Sequence, residues 1–337
     1  MTNRTLFLGT GDGLYRATGS GAGFSAELSG FKGAGEFRAA VVQDCSDPTT
    51  LFAGTTKAGM YRSRDSGRTW HEANTGLTYK NVWSLVQHPK TGALYAGTSP
   101  TGVFISHDHG ASWQECEQLP TLPSTKGWTG PVPPHVSRLK GLALDAADPD
   151  YIYGAIEEGW AIRSLDGGKT WEQIAEGIDH DGHSVVILPE GPRSVLATTG
   201  HGMFRSEDAG DHWQPANDGL TTRHYTPSPI AVHPARPATL LTAVTAVSPA
   251  GWRRPEGGDS AFARSNDGGR TWTTSSKGLP SPCVAVPRAL VADPEDPDTF
   301  YTGMTDGTLW VSRDGGDSFR QLLSGLPAIM SIAALVR

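Results

Sequence analysis

The chain has 337 residues, of which 37% are hydrophobic and 19% are charged, and its formal net charge is −7 at pH 7. This length is ample for a large hydrophobic core, and the 42 glycines and 24 prolines indicate many tight turns rather than disorder. The acidic balance, with no basic stripe along the sequence, argues against nucleic acid as a partner.

The chain begins in a predicted strand at residues 5–9 and then repeats one unit. Each unit starts with a short apolar run, passes through a turn that usually contains proline, and continues into a strand rich in β-branched and aromatic residues. A tight turn, a third strand, a turn with aspartate and a fourth strand complete the unit. The apolar runs are residues 41–42, 82–86, 142–144, 185–188, 230–232 and 289–291, and the second strands are residues 51–54, 94–97, 151–154, 195–198, 240–244 and 300–303. Short strands at regular spacing predict an all-β fold.

A motif of the form Ser-x-Asp-x-Gly-x-x-(Trp or Phe) occurs six times, between the third and fourth strands of successive units. The copies are residues 63–70, 106–113, 164–171, 206–213, 265–272 and 312–319. Successive motif aspartates are 43, 58, 42, 59 and 47 residues apart. A period in the low forties is typical of one four-stranded propeller blade, so the two long intervals predict a blade with an insertion. A seventh, degenerate copy lies at residues 13–24, where Gly21 and Phe24 replace the motif's glycine and aromatic residue.

The motif residues predict a turn rather than a catalytic site. Aspartate and serine side chains bond nearby backbone N–H groups and hold turns, and the glycine adopts positive φ at little cost. The aromatic residue is expected to pack between neighbouring sheets, where it buries a large apolar area. We therefore interpret the six motif aspartates as turn staples, not as catalytic acids.

The two ends of the chain complement each other. The first unit lacks its apolar run, whereas residues 329–336 form an apolar strand with no unit of its own. Pairing of the two removes the exposed sheet edges of an open ring. We therefore predict one domain over residues 1–337, an all-β seven-bladed β-propeller of four-stranded antiparallel blades, closed by the C-terminal strand in the N-terminal blade.

The six motifs resemble the Asp-box, or BNR, repeat, and the resemblance covers nearly the whole chain. Known proteins with this repeat are β-propellers, and they include sialidases, xyloglucan-active glycoside hydrolases, the luminal domain of sortilin and a photosystem II assembly factor. The resemblance thus implies the fold, while the implied functions range from glycoside hydrolysis to protein assembly. The Arg-Ile-Pro motif of sialidases is absent, and Arg16 and Arg38 lack its context, so sialidase activity is not expected.

The loops predict which face of the propeller carries function. The connections between first and second strands, and those between third and fourth strands, are short and repetitive. The connections on the other face vary in length and hold both insertions, at about residues 114–140 and 246–261. Loops of variable length on a rigid scaffold usually carry binding and catalytic residues. We therefore expect the functional site on this variable face, at the mouth of the central channel.

Polar and aromatic residues gather in these loops, mainly in three neighbouring blades. The candidate site residues are Trp83, His135, Arg138, Glu157, His180, His183, His201, Arg223, Tyr225 and Trp252. In one interpretation they form a pocket for a small polar or anionic molecule or a saccharide. His183 is then a general acid or base, with Glu157 as its partner or as a second acid or base. Arg138 and Arg223 would bind an anionic group.

Within this pocket the aromatic side chains are predicted to form walls and the other histidines to contact the ligand. The residues so assigned are Trp83, Tyr225 and Trp252 as walls, and His135, His180 and His201 as further contacts.

A second interpretation is that all these polar residues are solvated loop residues with no joint role. A third is a divalent metal held by His183, His201 and His135, with His180 and a carboxylate from Glu157 or Asp181. No cofactor is named by the sequence.

The function predicted from these residues is a small-molecule or saccharide pocket, with hydrolase or lyase chemistry if the protein is an enzyme. The alternative is a non-catalytic scaffold that binds a protein through its two long loops, with Trp128 and Trp252 as exposed contacts.

The three cysteines, Cys45, Cys116 and Cys283, are irregularly spaced and indicate a reducing compartment. With no signal peptide or membrane span in the sequence, we expect a cytoplasmic protein that binds neither membranes nor nucleic acid.

Overall fold

Seven four-stranded antiparallel sheets surround a central channel as the blades of a β-propeller in the computed structural model, which describes residues 3–21, 23–191 and 193–336. Blade 1 contains β1 (Arg4–Thr10), β2 (Gly13–Ser20), β3 (Gly23–Gly30) and β28 (Ile329–Ala334). Blades 2 to 4 contain β4 (Val42–Gln43), β5 (Leu51–Thr55), β6 (Gly59–Ser63), β7 (His71–Glu72), β8 (Val82–Gln87), β9 (Leu94–Thr98), β10 (Val103–Ser106), β11 (Gln114–Glu115), β12 (Arg138–Leu144), β13 (Ile152–Glu157), β14 (Ala161–Ser164) and β15 (Glu172–Ile174). Blades 5 to 7 contain β16 (Gly182–Ile187), β17 (Val195–Thr199), β18 (Gly202–Ser206), β19 (Gln214–Pro215), β20 (Ala231–Val232), β21 (Leu240–Val244), β22 (Ala261–Ser265), β23 (Thr273–Ser275), β24 (Pro287–Ala292), β25 (Phe300–Met304), β26 (Leu309–Ser312) and β27 (Arg320–Leu323).

The C-terminal strand closes the ring, as the sequence predicts. Strand β28 pairs antiparallel with β1, with Leu8 opposite Ile332, and forms the innermost strand of blade 1. The apolar side chains of β1 and β28 pack with those of blade 7 in one hydrophobic cluster. The prediction of a seven-bladed propeller with this closure is confirmed.

The second strand of each of blades 2 to 7 is completely buried, because its two faces pack against the neighbouring blades. Glycines in these strands allow the next blade to approach closely. A Cβ atom at Gly97 would lie 2.8 Å from Cγ of Leu139 in blade 4, and one at Gly54 would lie 2.6 Å from Cγ1 of Val82 in blade 3. These glycines therefore set the spacing between blades.

The motif aspartates hold turns, as predicted. In the first copy Ser63 Oγ donates to Asp65 Oδ1 over 2.8 Å, and the backbone N–H of Thr69 donates to the same carboxylate oxygen over 2.9 Å. The motif tryptophans lie between blades; Trp113, for example, belongs to the same hydrophobic cluster as Phe52 of blade 2 and donates its indole N–H to the carbonyl of Ala73 in that blade. The fourth strands begin one residue after the aromatic residue rather than at it.

Three of the innermost strands, β12, β16 and β24, begin earlier than their apolar runs indicate, and their first residues lie at the candidate site. Strand β12 begins at Arg138 rather than at 142, and β16 begins at Gly182 rather than at 185. In five blades the early part of the innermost strand contains a one-residue β-bulge. The bulged residues are Trp83, Lys140, His183, Arg288 and Met330. A bulge redirects a side chain out of the regular alternation of a strand.

Both insertions lie on the predicted variable face. The first joins β11 to β12 and contains two short 3-10 helices, Leu119–Thr121 and Pro123–Gly127. The second joins β21 to β22 and contains a third, Pro249–Gly251. Within the described residues, none of the helices has the length and apolar character needed to cross a membrane.

Candidate functional site

One side chain from each blade lines the upper part of the central channel. These residues are Arg38, Trp83, Lys140, His183, Pro227, Arg288 and Met330. In five blades the residue after the bulge is small, namely Ser84, Gly141, Ser184, Ala289 and Ser331. The small residue leaves room for the neighbouring strand; the hydroxyl of Ser84, for instance, donates to the carbonyl of Leu139 in the next blade. We call the seven channel residues the bulge ring, because five of them lie at equivalent β-bulges around the channel.

His183 is buried, with only 5% of its side chain exposed. Its Nδ1 lies 2.9 Å from the carbonyl oxygen of Thr226. Because a carbonyl only accepts hydrogen bonds, Nδ1 carries the proton in this tautomer, and Nε2 bears the lone pair in the neutral ring. Nε2 lies 3.3 Å from Oδ1 of Asp181 and 3.4 Å from the hydroxyl of Tyr225.

Burial and the nearby charge of Lys140 lower the pKa of His183 below its usual value. Burial acts to raise the pKa of Asp181, but in the acidic range, where His183 is protonated, its hydrogen bond and positive charge lower that pKa to about 2. His183 is therefore neutral near pH 7, and Asp181 is an anion beside its unprotonated nitrogen. The carboxylate of Asp181 lies against Gly200, where a Cβ atom would be 2.4 Å from Oδ2, so this arrangement requires glycine at position 200.

Glu157 lies at the end of β13, beside the channel wall, and both of its oxygens are paired. Oε2 accepts from Arg138 over 2.7 Å, and Oε1 accepts from Lys140 over 3.0 Å. Burial opposes ionisation of Glu157, but the charges of Lys140 and Arg138 keep its pKa below the usual value. Glu157 is thus an ionised carboxylate that holds two cations and has no proton to donate near neutral pH.

Two arginines lie over the indole ring of Trp83. The guanidinium of Arg138 is 4.6 Å from the ring centroid, and that of Arg38 is 5.2 Å from it. Arg38 also pairs with Glu36 over 2.6 Å. Cation–π contacts of this kind fix the orientation of the guanidinium groups. Trp83 therefore holds these arginines at the channel rather than offering a free aromatic wall.

The opposite side of the channel carries a second row of aromatic contacts. The rings of His183 and Tyr225 have centroids 5.0 Å apart, and those of Tyr225 and Trp252 are 5.5 Å apart, edge to face. The guanidinium of Arg288 then lies 5.3 Å from the indole centroid of Trp252. This row connects the second insertion to the bulge ring and fixes Trp252 against the channel.

Arg288 differs from the other cations of the site. In the described part of the chain it has neither an ion pair nor a hydrogen-bonded partner, and Trp252 provides its one ring contact. Burial, followed by the repulsion from Arg38, lowers the pKa of Arg288 to about 10. The charges of Glu157 and Glu36 act on it without a direct ion pair, so among the described residues this guanidinium, charged at neutral pH, has no carboxylate bonded to it.

The channel holds a cavity of about 350 Å³. Three cationic side chains line it, namely Arg38, Lys140 and Arg288, and no carboxylate does so among the described residues. Farther along the innermost strands the lining is aliphatic, with Val86, Leu142, Val186, Ile230, Val291 and Ile332. The cavity is therefore cationic at the variable face and apolar beneath it.

Glu157, Asp181 and His183 also offer three ligand atoms within 4.8 Å of one another, a set that could hold a metal ion. One nitrogen and two carboxylates suit several divalent cations. However, both oxygens of Glu157 are already bonded to Arg138 and Lys140, and an ammonium group beside a metal ion repels it. The donor set therefore fits a metal ion poorly in this arrangement.

The other predicted site residues lie outside this cluster. His135 is exposed and bonds to the carbonyl of Gly130, and Arg223 bonds to Asp259 through the backbone and the side chain. His180 and His201 both face the carboxylate of Asp179, at 3.6 and 3.0 Å, and their side chains are 52% and 74% exposed. The metal set His183, His201 and His135 is not brought together; the cluster that forms instead pairs His183 with two carboxylates.

Sequence reasoning did not select Lys140 or Arg288 as site residues. The signal that identifies them is a bulky residue followed by a small one at the start of an innermost strand. Lys140-Gly141 and Arg288-Ala289 repeat the pattern of His183-Ser184 in this respect. The pattern can be interpreted only when the bulge is known, and a sequence read as a strand with regularly alternating sides does not reveal a bulge.

Comparison with protein-family models gives no match, and no curated protein sequence matches. Solved structures with a similar fold include an ancestral GH74 enzyme, with a TM-score of 0.63 and 16% identity over 83% of this chain. YCF48 from Cyanidioschyzon merolae has a TM-score of 0.58 and 16% identity, covering 87% of each chain. A GH74 enzyme from Niastella koreensis has a TM-score of 0.50 and 16% identity over 96% of this chain.

The chain spans 37% and 55% of the length of the two GH74 structures. At these identities the similarity establishes the propeller fold and carries no reaction with it. The neighbours comprise proteins named as enzymes and one that is not, so the function has to be argued from the site.

Proposed function

We propose that the channel mouth of the variable face binds a small polar molecule and that His183 exchanges a proton with it, in a hydrolase or lyase reaction. The observation that carries this proposal is the state of His183. Thr226 holds the proton on Nδ1, burial keeps the ring neutral, and the ring lines a cavity. A neutral imidazole with a directed lone pair is suited to act as a general base.

Asp181 and Tyr225 support the same role. When Nε2 takes a proton from a ligand, Asp181 Oδ1 at 3.3 Å becomes the acceptor of the new N–H and stabilises the imidazolium. Burial raises the pKa of Tyr225 well above its usual value, so the phenol stays protonated and can donate a hydrogen bond to Nε2 or to a ligand. Glu157 contributes by holding Arg138 and Lys140 at the wall, not by transferring a proton.

The protein-scaffold alternative has less support in the contacts of the two insertions. Trp128 donates its indole N–H to Gln173 over 2.8 Å, and Trp252 donates to the carbonyl of Val247 over 3.0 Å. Both side chains are half-buried, so the two expected protein contacts are turned towards their own chain. Among the described residues of the first insertion, Val132 is the one large hydrophobic residue that is exposed.

The experiment that tests the proposal combines binding and turnover. Glucose, glucuronate, methyl glycosides and short carboxylates are screened by thermal shift, and every binder is followed by NMR for chemical conversion. We expect at least one compound to bind and to be converted by the wild-type protein, with conversion lost in His183→Asn. His212→Asn, an exposed histidine on the opposite face, is the matched control and should convert normally.

Two results would contradict the proposal. If none of the compounds binds, the channel mouth is not a site for small polar molecules of these classes. If His183→Asn converts a bound compound as fast as the wild-type protein, the imidazole is not the proton-transferring group.

A further inference from the structure

We propose that the ligand of the channel is a small organic anion with an apolar portion, whose charged group binds Arg288 and whose apolar portion faces the aliphatic part of the cavity. This inference rests on the proposed function in placing the ligand in the channel. It goes further in naming the chemical class of that ligand and the residue that selects it.

The charged side chains around the channel mouth favour an anionic ligand. Four cations, Arg38, Arg138, Lys140 and Arg288, surround the mouth, and three carboxylates, Glu36, Glu157 and Asp181, lie among them. Glu36 and Glu157 are paired with cations, and Asp181 faces Nε2 of His183. With His183 neutral, these seven groups sum to one positive charge, and one negative charge on a ligand would balance it.

Geometry identifies Arg288 as the residue that carries this excess charge. Its guanidinium has five N–H donors in a planar fork, and the described residues use none of them in a hydrogen bond. Its position in the bulge of β24 directs it into the cavity, while Trp252 covers one side of it. A carboxylate fits such a fork with two parallel hydrogen bonds.

The aliphatic wall beneath the cations favours a ligand with an apolar portion. Six aliphatic side chains line the lower cavity, as described above, and Met330 adds an unbranched apolar side chain in the bulge ring. A ligand that is polar throughout, such as a free sugar, would leave hydroxyl groups against this wall without hydrogen-bond partners. At about 350 Å³ the cavity is near the lower end of the volumes that hold small molecules, about 300–1,000 Å³.

The test measures binding of a homologous series by isothermal titration in a buffer free of organic anions. The probes are acetate, butyrate and hexanoate, with hexanol as the uncharged counterpart and inorganic phosphate as the anion without an apolar portion. We expect hexanoate to bind most tightly, with affinity rising by up to about fourfold for each methylene. Hexanol and phosphate should bind at least tenfold more weakly than hexanoate.

Variants of Arg288 test whether this residue binds the charged group of the ligand. Arg288→Gln should weaken hexanoate binding at least tenfold, whereas Arg288→Lys should retain part of the affinity because the charge remains. Arg236→Gln is the matched control, since Arg236 is an exposed arginine at a turn on the opposite face, and it should bind as the wild-type protein does. Circular dichroism spectra of all three variants show whether the fold is kept.

The outcomes separate this inference from the proposed function. If glucose or a glycoside binds in the channel and hexanoate does not, the organic-anion inference is wrong while the small-molecule site remains. Equal binding of hexanol and hexanoate, or undiminished hexanoate binding by a folded Arg288→Gln variant, also overturns it. If hexanoate binding depends on Arg288 but His183→Asn leaves turnover of every ligand unchanged, the inference holds and the proton-transfer role fails.

Discussion

Replacing Arg288 by methionine should stabilise the ligand-free protein. The channel lowers the pKa of this guanidinium from its usual high value to about 10, because burial disfavours the charged form. Each pKa unit corresponds to about 1.4 kcal/mol, so the folded protein bears a cost of about 3 kcal/mol for this charge. Methionine has a similar length and no charge, and it gives up a cation–π contact with Trp252 worth about 1 kcal/mol. The expected net gain is about 2 kcal/mol.

This gain corresponds to a rise in the melting temperature of roughly 3 °C. The entropy of unfolding is about 2 cal/mol/K per residue, which gives about 0.7 kcal/mol/K for a chain of this length. Scanning calorimetry in a buffer without organic anions measures it, with Arg236→Met as the control. Arg236 is half-exposed and paired with Asp298 at the surface, so its replacement should change stability by no more than about 1 kcal/mol. A melting temperature of Arg288→Met below that of the wild type would refute the reasoning.

Three further predictions concern the scaffold. Deletion of Ile329–Ala334 together with the residues after it should give an aggregating protein by size-exclusion chromatography, because β1 loses its partner; a stable monomer would contradict the closure. Acidification should lower the urea midpoint between about pH 4 and pH 2. Burial acts to raise the pKa of the turn residue Asp267, but hydrogen bonds from Thr271 outweigh it and hold the pKa at about 2, below the value in the unfolded chain. The stabilising effect of the ionised Asp267 is therefore complete above about pH 4 and is lost as the pH falls from about 4 to about 2. A urea midpoint that stays constant from pH 5 to about pH 2.5 would count against this. Gly97→Val should destabilise the protein by about 1–3 kcal/mol in urea unfolding, because the new side chain meets Leu139, whereas Gly11→Ala, in open space, should be nearly neutral.

The fold was predictable because its signals are local and repeated. The motif aspartates bond to backbone groups within four residues of themselves, so the sequence contains the whole turn. The buried second strands are short apolar segments bounded by turns, and the missing first strand of blade 1 is matched by an apolar run at the other end. Each of these features is visible without knowing what lies opposite it in space.

The site was less predictable because its contacts join distant parts of the chain. His183 was found because an ionisable residue followed a loop, but its proton is fixed by Thr226, a residue of the next blade. Arg223 was expected to bind an anion, yet it is satisfied by Asp259 across the second insertion. Arg288 was not selected because it precedes the apolar run of residues 289–291, and only the bulge directs it into the channel.

The bulges also separate the part of the sequence that builds the propeller from the part that lines the channel. A bulged residue has no opposite residue in the strand pairing, so its side chain can change without altering the register of the blade. The buried second strands and their glycines stay the same whatever occupies those positions. Five side chains, from five of the blades, thus form a set that can vary without changing the register of the blades. Randomising them together would produce a library of binding channels on an unchanged framework.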